Sequence, residues 1–465
     1  MNRATGSWQQ EAVRFSEVVS AMSHALDITE GQPEGHAVRT CFLGMRIAEE
    51  IGLSSDERSA LFYALLLKDL GCSSNAAKVC YLFAADDQTV KRDLKTTDWS
   101  DLTQAFQYVT RNVVPDGSAL RRAFQIVTVA LQGSSNELMQ TRCERGAQIA
   151  QMLGLPRATA DAILGLDEHW DGRGGPLGTR RLAIPLLARI AGISQTFEVF
   201  FSSVGVTEAY DMLRKRRGRW FDPALVDVMR NFEYDYRFWD SLTSADVATM
   251  LVEHEPQDRI IMADAGRLDT VARAFAKVID AKSPWTFNHS EQAAEIAGGV
   301  ATVLGLDPPT RRNVVRGALL HDIGKLGISN RIFDKAGPLT AEERATISRH
   351  PEFTHGILSR VSAFADVAEL AGSHHERLDG HGYHRGLTGE HLPLQARIMK
   401  IADIYQALSV DRPYRAAMTW DEVQAIIVPD LGTSICEDAF AGLTGYVERG
   451  ATTPQESART GFRVA

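Results

Sequence analysis

Apolar residues recur at intervals of three and four along most of this 465-residue chain, the spacing of a single buried helical face. The stretches EGHAVRTCFLGMRIAEEIGL (34–53) and EQAAEIAGGVATVLGL (291–306) show it clearly. Turn signals separate such segments: LSSDE at 53–57, LDPPT at 306–310 and KAGPLT at 335–340. Thr340 and Glu343 form a capping-box pattern, predicting a helix that begins there and runs into Ser348, Arg349 and His350. Strand-like alternation is scarce, and Arg259–Ala263 is the sole short apolar run that reads as a candidate strand. The expected fold class is all-α.

The two halves repeat one another. His36 opens a helical segment followed by ALLLKDLG with Asp69; His289 opens one followed by GALLHDIG with Asp322. The same 32-residue interval separates His36 from Lys68 and His289 from His321. Further on, LDEHWDGRGGP (166–176) lies over HHERLDGHGYH (374–384), and IPLLARI (184–190) over LPLQARI (392–398). The register shifts from an offset of 253 to one of 208, so the first copy carries about 45 extra residues, near 80–135. The expectation is two helical bundles in tandem: 1–230, a connector 231–280 with a helix over LDTVARAFAKVID, a second bundle 281–450, and a tail 451–465.

Charge narrows the function. A net charge of -9 and a pI near 5.8 speak against DNA or RNA as partners, because a phosphate backbone recruits a Lys/Arg excess. A small phosphorylated ligand needs only a few local cations. The five cysteines are odd in number and form no CxxC pair, which fits a reducing compartment. The N-terminal residues contain no apolar signal core, and no run approaches the ~18 apolar residues of a membrane span. A cytoplasmic protein without membrane insertion is expected.

Histidine is distributed unevenly. Nine of the 13 lie between His289 and His391. A lone histidine on a helix is usually capped or solvated; the adjacent pairs His321-Asp322 and His374-His375 point instead to metal chemistry. His289, His321, Asp322, His350, His374, His375 and Asp403 can together hold two first-row ions, with room left for water and substrate. A carboxylate bridges two cations and an imidazole does not, so an Asp belongs at the centre. Drawn from distant stretches, these side chains must converge through successive helices of one bundle. Lys325 follows His321-Asp322 by one turn, where Gly324 and Gly327 suggest the chain leaves the helix. Its ammonium can meet a phosphate oxygen beside the metals.

HDIGK (321–325), the His350-Pro351 pair, HHERLDGHGY (374–383), IADIYQAL (401–408) and DRPYR (411–415) together resemble the HD-GYP branch of the HD metal-dependent phosphohydrolases. The resemblance covers roughly residues 270 to 430. It implies tandem HD-type helical bundles, the second carrying the metal site. It implies a bacterial cyclic-dinucleotide phosphodiesterase, opening cyclic di-GMP to pGpG or on to GMP, with a hybrid cyclic GMP-AMP as a variant substrate. The cofactors would be two divalent ions, Fe or Mn first and Zn, Ni or Mg as alternatives. Carried over by motif, the seven residues above are metal ligands with Asp322 bridging. Asp322 and Lys325 are the catalytic pair, and Tyr383, Arg412 and Arg415 hold the substrate along with Lys325. GGDEF-domain proteins and a second copy of the chain are the expected macromolecular partners. The alternatives are a dNTP or alarmone phosphohydrolase of the wider superfamily, and a non-catalytic nucleotide-binding module.

The chain departs from the family pattern twice. His384 stands where the motif has proline, and Trp285 stands four residues before His289, where three-metal members have Glu. A two-metal site is therefore expected. His381 and His384 are the available candidates for protonating the leaving 3′-oxygen, though a solvent-facing loop position suits each of them better. The first copy lacks the ligands: Lys68, Leu166, Asp167 and Gln195 replace His321, His374, His375 and Asp403, leaving His36 and Asp69. It reads as a bundle without a metal site.

Overall fold

A computed structural model describes residues 13–97, 102–114, 125–126, 135–244, 251, 254–335, 337–411 and 415–450. Its described elements are helices, apart from one antiparallel pair of two-residue strands, β1 (Val13–Arg14) and β2 (Met262–Ala263). The all-α expectation holds. The run at 259–263 contributes β2, whose partner β1 had no strand pattern to announce it.

The first bundle is built on α1 (Phe15–Thr29), α2 (His36–Glu50) and α3 (Ser55–Leu67). It continues through α4 (Asp87–Thr96), α5 (Ser135–Met152), α6 (Arg157–Leu164) and α7 (Leu186–Val204). The second bundle uses α8 (Ala265–Asp280), α9 (His289–Val303), α10 (Pro308–Leu320), α11 (His350–Leu358), α12 (Ala365–Ala371), α13 (Leu394–Ser409) and α14 (Glu437–Glu448). Local chemistry sets the starts. Ser54 and Glu57 form a capping box before α3; Asp307 caps α10, with Pro308 at its first position. The Thr340/Glu343 box is present before a helix Ala341–Ile347; the chain then restarts as α11 at His350.

The repeat is structural. Each bundle places a 3-10 turn after its third helix, at Cys72–Asn75 and at Ile323–Gly327. Gly71 and Gly324 sit at matching close approaches. A Cβ on Gly71 would collide with the Arg142 carbonyl and the Gly146 nitrogen; one on Gly324 would collide with the His350 carbonyl and the Thr354 nitrogen. Arg142 therefore occupies the position of His350. The segment expected to connect the bundles supplies α8, which packs on α9 and α10 and is the counterpart of α1.

The first helix of each bundle packs on its own bundle and also reaches the other. α1 packs on the Ile323–Gly327 turn and α11 of the second bundle, while α8 packs on the Cys72–Asn75 turn and α5 of the first. One apolar core, with Phe15, Met22 and Leu26 beside Phe275, Ile323 and Leu326, runs through both. The insertion near residue 80 carries its own small core of Val79, Leu82, Phe83, Val90, Tyr108 and Val113. Among the described residues no helix is long and apolar enough to cross a membrane.

Candidate metal centre

Helix ends carry the site. His289 opens α9, His321 and Asp322 follow the last turn of α10, His350 opens α11, His374 and His375 follow α12, and Asp403 lies within α13. The two carboxylate oxygens of Asp322 face different sets of groups. His289 Nε2 at 3.5 Å and His321 Nε2 at 3.4 Å approach Oδ2. His350 Nε2 at 3.4 Å and His374 Nε2 at 3.8 Å approach Oδ1. Asp403 Oδ1 joins the first set, 3.4 Å from His289 and 3.8 Å from His321. His375 joins the second, its ligating nitrogen within 4.8 Å of those of His350 and His374. The seven expected ligands are brought together as two groups hinged on one aspartate.

The opposite side of four of the five rings is held. Nδ1 of His321, His350 and His374 meets the carbonyls of Ala318 (2.8 Å), Ile347 (2.8 Å) and Ala371 (2.6 Å). Nδ1 of His289 meets Gln406 Oε1 at 2.6 Å. A ring nitrogen beside such an acceptor carries the proton, so each Nε2 turns a lone pair inward. These lone pairs crowd: His289 and His321 Nε2 are 3.3 Å apart, His350 and His374 Nε2 3.1 Å apart. Asp322 Oδ1 is buried without a hydrogen bond. Lone pairs facing an orphaned carboxylate repel unless cations lie among them, so this donor set fits divalent ions.

Titration behaviour agrees. Burial drives His374 well below its ordinary value, His375 down to about 4 and His350 down to about 3, the last helped by Lys325. Neutral imidazoles are the ligating form. His321 is the exception: burial opposes its charge, yet Asp322 and Asp403 raise it to about 9. Asp322 lies well below the carboxylate range, its burial outweighed by His321 and Lys325.

Lys325 stands at the rim with 20% of its side chain exposed, Nζ 2.6 Å from Asp322 Oδ2 and over the Phe333 ring. Tyr383 lies beside His375, ring centroids 4.8 Å apart. Burial, with Asp403 and Asp322 nearby, raises its phenol to about 12. Arg415 does not join these groups. Its terminal nitrogens donate to the carbonyls of Ala407, Leu408 and Ala416, capping the end of α13. Arg412 lies outside the described residues. The His381 side chain is 84% exposed, a solvent-facing loop residue. Trp285 is 52% exposed.

Three supporting residues escaped the sequence reading. Gln406 orients His289. Thr354 accepts from Gly324 N (3.0 Å) and donates to the His321 carbonyl (2.8 Å), tying the metal turn to α11. Glu376 accepts from the backbone of Arg385, Gly386 and Leu387, ordering the loop behind Tyr383. For Gln406 a signal existed: the 208 offset places it over Glu198, which pairs with His36 as Gln406 does with His289.

The corresponding place in the first bundle is filled by side-chain cations. Lys68 pairs with Asp69, and Arg142 with Asp167. Lys95 lies 3.0 Å from Glu30 and 3.5 Å from Asp69. Glu30, Asp69 and Cys72 converge as a ligand set would, but these ammonium and guanidinium groups already supply the positive charge.

Comparison with known proteins joins the two halves in one family. The family described as "HD domain" matches residues 129–225 and 273–432. A Vibrio cholerae protein named 3'3'-cGAMP-specific phosphodiesterase 3 is 42% identical over 436 residues, covering 93% of this chain and 95% of that one. The cyclic di-GMP phosphodiesterase response regulator RpfG of Xanthomonas campestris is 39% identical over 177 residues, 37% of this chain and 47% of its own. A crystal structure of a cyclic GMP-AMP specific phosphodiesterase from V. cholerae matches with a TM-score of 0.64 at 37% identity, covering 96% of this chain and 99% of that one. The chain belongs to the HD-domain family and, within it, is a phosphodiesterase of the HD-GYP type.

Proposed function

We propose that this protein hydrolyses a 3′3′-linked cyclic dinucleotide, cyclic GMP-AMP in preference to cyclic di-GMP, to a linear dinucleotide. The observation that carries the chemistry is Asp322, with one oxygen toward each of two imidazole groups. The preference rests on kinship. The relative named 3'3'-cGAMP-specific phosphodiesterase 3 matches through both bundles, whereas RpfG, named for cyclic di-GMP, matches over 37% of this chain.

His289, His321, Asp403 and Asp322 would hold one divalent cation, and His350, His374, His375 and Asp322 the other. Such a pair supplies Lewis acidity and a water nucleophile at neutral pH. The protein's own groups do the rest. The carbonyls and Gln406 hold the rings of His289, His321, His350 and His374 in register. Lys325 stands where a non-bridging phosphate oxygen gains negative charge in the transition state, and opposes that charge. Tyr383 flanks the cleft and positions the substrate. Arg415 acts from α13, holding the end of the helix that carries Asp403. With Trp285 in place of a third carboxylate, cleavage stops at the linear product.

Protein reconstituted with Mn or Fe(II) under anaerobic conditions, given 3′3′-cGAMP, cyclic di-GMP and dNTPs in parallel, tests this. A higher kcat/KM for cGAMP with linear product accumulating is the expected result. Preferential turnover of dNTPs would overturn the reading.

A further inference from the structure

The helix that occupies the metal-free site also grips the catalytic turn of the other bundle. α4 belongs to the insertion, and its two ends face different bundles. Toward its C-terminus, Lys91 donates to the Cys72 carbonyl at 2.8 Å and lies 3.5 Å from Glu30; Lys95 reaches Glu30 and Asp69. Its first turn crosses to the second bundle. Asp87 Oδ1 accepts from the backbone nitrogen of Asn330 at 2.9 Å, and Gln88 Nε2 donates to the Leu326 carbonyl at 3.1 Å. Asp87 is fully buried, and its second oxygen lies 3.8 Å from the equally buried Lys282 Nζ.

Leu326 and Asn330 bracket the exit of the turn that carries Lys325. Asn330 begins the helical turn Asn330–Phe333, and the Phe333 ring lies under the Lys325 ammonium. The Asn330 side chain donates to the Lys282 carbonyl and to Asp334, binding the same stretch to the loop before His289. On its other side, Ile28 of α1 lies against Gly327. Groups from the metal-free bundle thus hold the catalytic turn at its exit, while Asp322 and Thr354 hold its start.

We propose that Asp87 and Gln88 are positioning residues for Lys325, so that the metal-free bundle works as a brace for the catalytic turn of the active one. The proposal rests on the phosphodiesterase role given to Lys325 above. A lysine on a four-carbon stem is effective only if its backbone is held, and a displacement of about 1 Å can cost on the order of 100-fold in rate.

A double-mutant cycle in the full-length Mn-loaded protein tests it. Asp87→Asn keeps the shape and removes the charge; Gln88→Leu removes a single half-buried hydrogen bond and carries the test if Asp87→Asn does not fold. Each is expected to lower kcat on 3′3′-cGAMP by about 10-fold, with KM and bound Mn unchanged. In a Lys325→Ala background the same substitutions should change kcat by less than about 2-fold. Amide hydrogen exchange over 323–333 should quicken in both variants, a readout independent of turnover. Equal losses in both backgrounds, an unaltered kcat, or unaltered exchange over 323–333 would overturn the proposal. If the wild type leaves cGAMP intact, the function reading fails, and the cycle still runs on bis(p-nitrophenyl) phosphate, a simple phosphodiester that Lys325 can serve without dinucleotide recognition.

Discussion

Two bundles of shared ancestry solve the same electrostatic problem differently. Each brings buried carboxylates to the turn after its third helix. In the second, imidazoles surround Asp322 and leave Oδ1 without a partner. In the first, Lys68, Lys95 and Arg142 surround Glu30, Asp69 and Asp167. Buried carboxylates demand positive charge whatever its source. Histidine leaves that charge to an exchangeable ion; lysine and arginine build it into the chain. On the proposed function the first choice makes a reactive centre and the second a structural one, with the inserted helix α4 completing the second and reaching across to the other bundle.

The largest expected contrast comes from removing the matched aspartates. Asp322→Ala should lower hydrolysis by on the order of 10^3-fold and strip the bound metal. Asp69→Ala should leave metal content intact but destabilise the fold by roughly 3–5 kcal/mol, because Lys68 and Lys95 lose a buried counter-charge. Metal analysis beside urea unfolding of both variants measures this. Comparable metal loss from Asp69→Ala would mean that the first bundle also binds an ion.

A smaller contrast separates Gln406 from Glu198. Gln406→Leu releases the His289 ring and should weaken metal affinity by about 10- to 100-fold, as loss of an orienting partner does. Glu198→Gln, in the matching place beside His36, should leave metal affinity as it is. Competition with a chromogenic chelator reads both, and a similar weakening in the two variants would erase the distinction.

The smallest concerns pH. Burial works against the Glu30 carboxylate, yet Lys95 and Lys91 outweigh it and hold its pKa down at about 2. A depressed carboxyl pKa stabilises the fold above the unfolded value of about 4.3 and loses that contribution as pH falls toward the folded one. Wild type should therefore melt above Glu30→Gln at pH 7, with the gap narrowing between about pH 4.5 and 2. A gap that stays constant over that range would show that the lysines do not hold Glu30 ionised.

Much of this protein could be read without coordinates. Helical periodicity depends on residues three and four apart, and the Thr340/Glu343 capping box on residues three apart, so α2, α9 and the start of the helix at Ala341 were legible locally. The duplication was legible because Asp-Gly-x-Gly and Pro-Leu-x-Ala-Arg-Ile recur at one offset. The seven candidate ligands were legible because histidine and aspartate in that order have few other uses. Tertiary structure decided which oxygen of Asp322 each histidine faces. It also placed Arg415 on a helix end, set Arg142 in the position of His350, and brought α4 against Leu326 and Asn330. These relations join residues up to 243 positions apart. A spacing pattern carries no information about contacts formed only when separate helices pack, since packing is settled by the whole core at once and not by any single helix.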